Sequence, residues 1–97
     1  MSRASIERRL NDITAELRVA RDELKVLDEQ LQHFTDTADE ARLRSLVSET
    51  PLAESEHREA ARAVTALRRD RDARLKRMAK LESKQDALLD QLTSVRP

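Results

Sequence analysis

Apolar residues return at alternating spacings of four and three through the first third of the chain: Ile6, Leu10, Ile13, Leu17, Ala20, Leu24, Leu27, Leu31 and Phe34. This is a heptad seam, with Leu10, Leu17, Leu24 and Leu31 at position a and the others at d. A 3.5-residue period sustained over four heptads predicts a helix that must bury one stripe against a partner. Ser5 is the expected cap at its start, with Glu7 in the first turn where the helix dipole favours an acid.

The pattern thins at Thr35-Asp36-Thr37. Continuing the register places Ala38, Ala41, Ser45 and Ser48 on the seam and leaves Leu43, Leu46 and Val47 off it. Thr37-Ala38-Asp39-Glu40 has the form of a capping box, which predicts a break or kink in the first arm near residues 35–37. The strongest punctuation is Thr50-Pro51. Proline suits the first position of a helix and restricts the residue before it, so Thr50 becomes the cap of a second arm. Glu54 and Glu56 then fall in its first turns. The second seam runs through Ala60, Val64, Leu67, Met78, Leu81, Leu88, Leu92 and Val95, with Leu75 and Leu89 beside it. Polar residues interrupt it, with His57, Arg71 and Gln85 at a and Arg74 at d.

Arm one (about 5–49) and arm two (about 51–95) have nearly equal length, about 67 Å at 1.5 Å per residue. A turn at 49–51 therefore predicts a single all-α domain, an antiparallel coiled-coil hairpin. Counting outward from the turn sets Phe34 near Val64 to Leu67, Leu24 near Leu75, and Leu10 near Leu89. One seam buries little, and small cores rarely supply more than about 3–5 kcal/mol. Val19 and Val26 form a second short stripe, and Leu75 and Leu89 widen the other, so the expectation is a homodimer that pairs two hairpins into a four-helix bundle.

Composition narrows the chemistry. The 97 residues include no Gly, Cys, Trp or Tyr and a single Phe, while 39% are charged. Glycine-dependent phosphate loops and cysteine metal or thiolate sites are excluded. No apolar run reaches the ~18 residues of a membrane span and no signal-peptide core follows Met1, so the expected setting is the cytoplasm, without membrane contact. Two rods side by side form a groove, not a water-excluding pocket. His33 lies off the seam and His57 on it, and neither has ligand spacing with a second metal-binding residue. The expectation is no enzyme, no catalytic or metal residues, no cofactor and no small-molecule substrate.

The net charge of zero divides unevenly along the chain. Residues 1–21 hold five basic and three acidic residues, residues 22–59 four and eleven, and residues 60–97 ten and five. The turn end is therefore acidic and the second arm basic. Three candidate surfaces follow. Leu46, Val47, Glu49, Pro51, Leu52, Glu54 and Glu56 mark the turn end as the place where a protein partner, of unspecified identity, would dock. Arg68, Arg69 and Arg77 are candidates for an anion or nucleic-acid face, in a chain that lacks the aromatic interleaving and basic total of usual nucleic-acid readers. The plainer reading pairs the basic run with Asp22, Glu23, Asp28 and Glu29 across the seam, and lengthwise with Asp70 and Asp72. Arg71, Arg74 and Gln85 are expected to set the register of the seam, Arg71 facing Asp28.

Arginine outnumbers lysine 15 to 4 and alanine is abundant. With that bias, the stretch Ala38 to Ala60 (ADEARLRSLVSETPLAESEHREA) resembles the turn segment of a family of small coiled-coil proteins from high-GC actinobacterial genomes. The resemblance implies a bacterial hairpin and brings no activity or site with it. The acidic tip is also similar in outline to transcription factors that insert hairpins into the RNA polymerase secondary channel, although their tip motifs are absent here. The functional expectation is a non-enzymatic protein-interaction module or small structural adaptor. The alternative is a regulator associated with nucleic acid or RNA polymerase through the basic second helix or the acidic turn.

Overall fold

A computed structural model describes residues 1–94. They form two helices that pack against each other, α1 (Arg3–Ser48) and α2 (Pro51–Ser94), and among the described residues there is no strand. The all-α helical hairpin expected from the heptads is what the chain adopts. The seam position assigned to Val95 lies outside the described residues.

Helix α1 starts earlier than the expected cap. Ser2, not Ser5, closes its first turn: Ser2 Oγ accepts the Ser5 backbone N–H at 3.2 Å, and the Ser2 carbonyl accepts that of Ile6 at 3.1 Å. Glu7 consequently falls beyond the first turn. The expected break near 35–37 is also absent, because α1 is continuous from Arg3 to Ser48. Thr37 does not cap a new helix. Its Oγ1 donates to the carbonyl of His33 at 3.1 Å, the inward bond a threonine makes when the helix simply continues.

Burial follows the unbroken register. On α1 the buried positions are Ile6, Ile13, Leu17, Leu27 and Ala41, with Leu10, Ala20, Leu24, Leu31, Ala38 and Ser45 half-buried. Leu43, Leu46 and Val47 are exposed, as the continued heptad requires. On α2 the buried positions are Ala53, Val64, Met78, Leu81 and Leu88. Between them His57, Ala60, Leu67, Arg71, Arg74, Gln85 and Leu92 are half-buried, so the 4–3 spacing holds through every polar interruption. Ala53 belongs to this seam one heptad nearer the turn than the apolar pattern begins.

The turn is made without glycine. Glu49 takes a left-handed backbone conformation (φ 50°), and its N–H donates to the Ser45 carbonyl at 3.1 Å, closing α1. Thr50 then caps α2: its Oγ1 accepts the Ala53 N–H at 3.2 Å and its carbonyl the Glu54 N–H at 3.1 Å. A side chain with a Cβ pays about 1–2 kcal/mol in the left-handed region. Glu49→Gly is therefore expected to raise stability by roughly 0.5–1 kcal/mol after the added backbone entropy is discounted. Thr50→Ala should lower it by about 1 kcal/mol. Paired urea melts followed by circular dichroism measure both, and a destabilised glycine variant would contradict this account of the turn.

The helix pair comprises two compact units. One is the turn-end unit, Leu24–Asp72; the other joins Met1–Glu23 to Ala73–Pro97. Each is an antiparallel helix pair built on its own stretch of seam.

Candidate functional site

The polar seam residues have partners across the helix pair. In the turn-end unit Arg71 Nε donates to Asp28 Oδ1 at 2.7 Å. In the other unit Arg74 Nη1 donates to Glu23 Oε2 at 2.5 Å, and Gln85 Nε2 to Thr14 Oγ1 at 3.3 Å. The Arg71 pairing is the one anticipated from level counting. These ion pairs are more than a third exposed, so each is worth well under the value of a buried pair, about 0–1 kcal/mol. Their contribution lies in alignment: sliding one helix by a heptad would set Arg71 against Arg21 or Thr35 in place of Asp28.

The contacts also show which heptad positions lie on which flank. On a wheel of about 100° per residue, e and then b follow a on one side, while g and then c follow d on the other. Arg21 (e of α1) approaches Glu82 (e of α2) at 3.9 Å, and Thr14 and Asp28, also at e, take the bonds from Gln85 and Arg71. Glu23, which meets Arg74, is at g. One flank of each unit is thus an e/b flank and the other a g/c flank. Leu75 and Leu89 sit at e, whereas Val19 and Val26 sit at c. The short stripe of Val19 and Val26 thus takes the g/c position, and Leu75 and Leu89 the e/b position, of the unit that holds each residue.

The turn-end residues are all exposed. Leu43, Leu46, Val47 and Leu52 are 64%, 63%, 84% and 70% accessible, within ten residues of one another. Leu43, Leu46 and Val47 occupy f, b and c, spaced i, i+3, i+4 on the side of α1 turned away from α2. Leu43 was missed as a candidate, although its i, i+3 spacing to Leu46 was present in the sequence. Around them Glu49 and Glu56 make no ion pair among the described residues, and Glu54 is 3.9 Å from Arg58 on its own helix. Pro51 begins α2 beside them, also exposed.

No family model matches this chain, and no curated protein or solved structure is significantly similar to it. Any function must therefore be argued from these surfaces.

Arg68, Arg69 and Arg77 are exposed and have no acidic partner among the described residues. They occupy e, f and g, spread around most of the outer circumference of α2. Arg68 and Arg77 fall on opposite flanks, so the three do not make one stripe. The pairing expected of the whole basic run is realised across the helices by Arg71 and Arg74, with Asp28 and Glu23 as acceptors. No described helix is long and apolar enough to cross a membrane.

Proposed function

We propose that this chain is a non-enzymatic coiled-coil interaction module whose turn end docks a protein partner, and that it acts as a homodimer of two hairpins. The observation that carries the docking reading is the run Leu43, Leu46 and Val47 on the outer side of α1, joined by Leu52 at the start of α2. Apolar residues on that side contribute nothing to the helix pair and cost solubility, which an interaction would offset. Exposed acids around the patch favour a partner that meets apolar anchors with basic residues at the rim.

The homodimer reading rests on surface area. The chain exposes 7431 Å², against about 5,700 Å² expected of a compact protein of its mass. The difference exceeds the ~800 Å² that one partner gives up in a standard interface.

Affinity capture from the native cytoplasm, with and without nuclease, tests the docking reading. Leu46→Asp and Leu52→Asp alter no seam residue, so both variants should keep the wild-type melt within about 0.5 kcal/mol. Both should lose the captured partner. An unchanged set of partners would overturn the reading, and loss of the set on nuclease treatment would favour nucleic acid instead. In that case charge reversal at Arg68, Arg69 and Arg77 should abolish the association.

A further inference from the structure

The outer side of α1 in the turn-end unit carries two rows in register. Leu43, Leu46 and Val47 occupy f, b and c, and Asp36, Asp39 and Glu40 occupy the same positions one heptad earlier. All six are exposed and α1 is continuous through them. The acidic row therefore stands about 10 Å along the axis from the apolar row, on the same side of the helix. Asp36 accepts a bond from Gln32 Nε2 of its own helix at 3.0 Å. None of the three acids forms an ion pair among the described residues. From Glu29 to Val47 no lysine or arginine occupies f, b or c. Arg42 and Arg44 stand at e and g, beside the rows. In the register that sets Arg71 against Asp28, Arg44 comes level with Glu56 of α2, and Glu40 level with Glu59, which adds to the acidic end.

We propose that the occupant of these two rows is an amphipathic helix of a partner protein, lying antiparallel to α1, with apolar residues at i, i+3 and i+4 followed one heptad later by lysines or arginines. This docked helix rests on the docking reading above and specifies its partner. A helix fits because, among the described residues, no strand edge is open to an extended peptide, and a helix satisfies its own backbone groups. Cations follow from the acidic row, whose carboxylates attract them and repel an acidic segment or an anionic surface that reaches the leucines. Direction follows from the helix dipole. Antiparallel docking puts the cations in the last turns of the docked helix, where they stabilise it; parallel docking puts them in its first turns, where they oppose it. The antiparallel direction also brings the positive N-terminal end of that helix to the turn, beside the exposed Glu49. A second copy of this chain does not supply the segment. Its own run of that order, Val64 and Leu67 followed by Arg71 and Arg74, lies in the seam, where the arginines meet Asp28 and Glu23 of α1.

Fluorescence anisotropy of the full chain with labelled synthetic peptides tests it. One peptide carries leucines at i, i+3 and i+4 and arginines one heptad later on an alanine-glutamine background; a second has the same composition with the arginine block first. The first should bind, and the second about tenfold more weakly. The double variant Asp39→Lys, Glu40→Lys changes no seam residue. It should keep the wild-type melt, weaken the first peptide about tenfold, and bind instead a peptide with glutamates in place of the arginines. Leu46→Asp should abolish binding of the first peptide. Failure of the first peptide to bind, or binding indifferent to the double variant, would overturn the basic helix and leave the docking reading standing. Equal binding of the two block orders would overturn the antiparallel direction. Capture from the cytoplasm that Leu46→Asp leaves unchanged would overturn the docking reading and the docked helix together. A wild-type dimer that Leu46→Asp turns into a monomer in sedimentation would show a second copy on these rows and overturn the partner helix.

Discussion

Leu17→Ala is expected to leave the chain largely unfolded at room temperature. Leu17 is one of two large side chains below 2% exposure, the other being Ile6. Truncating a fully buried leucine costs about 2–5 kcal/mol through lost transfer energy and the cavity left behind. A seam of this size supplies roughly 3–5 kcal/mol in total, so one truncation removes most of it. Urea denaturation followed by circular dichroism measures the loss. The matching control is Leu43→Ala, which removes the same atoms from an exposed position and should change stability by less than about 0.5 kcal/mol. Equal losses for the two variants would mean that the heptad seam does not organise this fold.

The second large effect is a gain. Replacing Arg71 and Arg74 together by leucine puts apolar side chains at two consecutive seam positions. Each guanidinium is a little over a third exposed, so each leucine would bury only part of its surface, a contribution of about 1–1.5 kcal/mol. The two lost ion pairs are partly solvated and subtract up to about 1 kcal/mol each. A net rise of about 1 kcal/mol, visible as a higher melting temperature, is expected. It should come with a loss of uniqueness, because a heptad slip then no longer sacrifices the Arg71–Asp28 and Arg74–Glu23 pairs. Sedimentation should then show several species where the parent shows one. A lower melting temperature would mean that the arginines stabilise the pair and do not merely align it.

Much of this fold is legible in the sequence. The alternation of four and three gave both helices, Thr50-Pro51 gave the turn and its cap, and level counting matched Arg71 with Asp28. The failures have local causes. Thr37-Ala38-Asp39-Glu40 has the residues of a capping box, but Ala38, Ala41 and Ser45 keep the register and their seam continues to be covered. Tertiary packing therefore overrode a cap signal worth about 1 kcal/mol. Ser2 displaced Ser5 because helix propagation adds a bond for each residue fixed and carries the start back to the last available cap. Glu49 could not have been read as left-handed from its identity, since glycine and asparagine are the usual signals.

The candidate surfaces divide in the same way. That Leu43, Leu46 and Val47 would be exposed follows from heptad arithmetic alone. The c position of Val26 and the e position of Leu75 follow from the same arithmetic, whereas the polar contacts formed beside the seam do not. The sequence by itself determined two helices, one turn and the stripe by which they meet, because burying that stripe is the only way such a chain can remove apolar surface from water. Only the tertiary structure decided what happens beside the stripe: which polar side chains bridge the helices, and with which partners. Those depend on the side to which each heptad position is carried when a particular second helix packs against it, a three-dimensional fact with no period in the sequence.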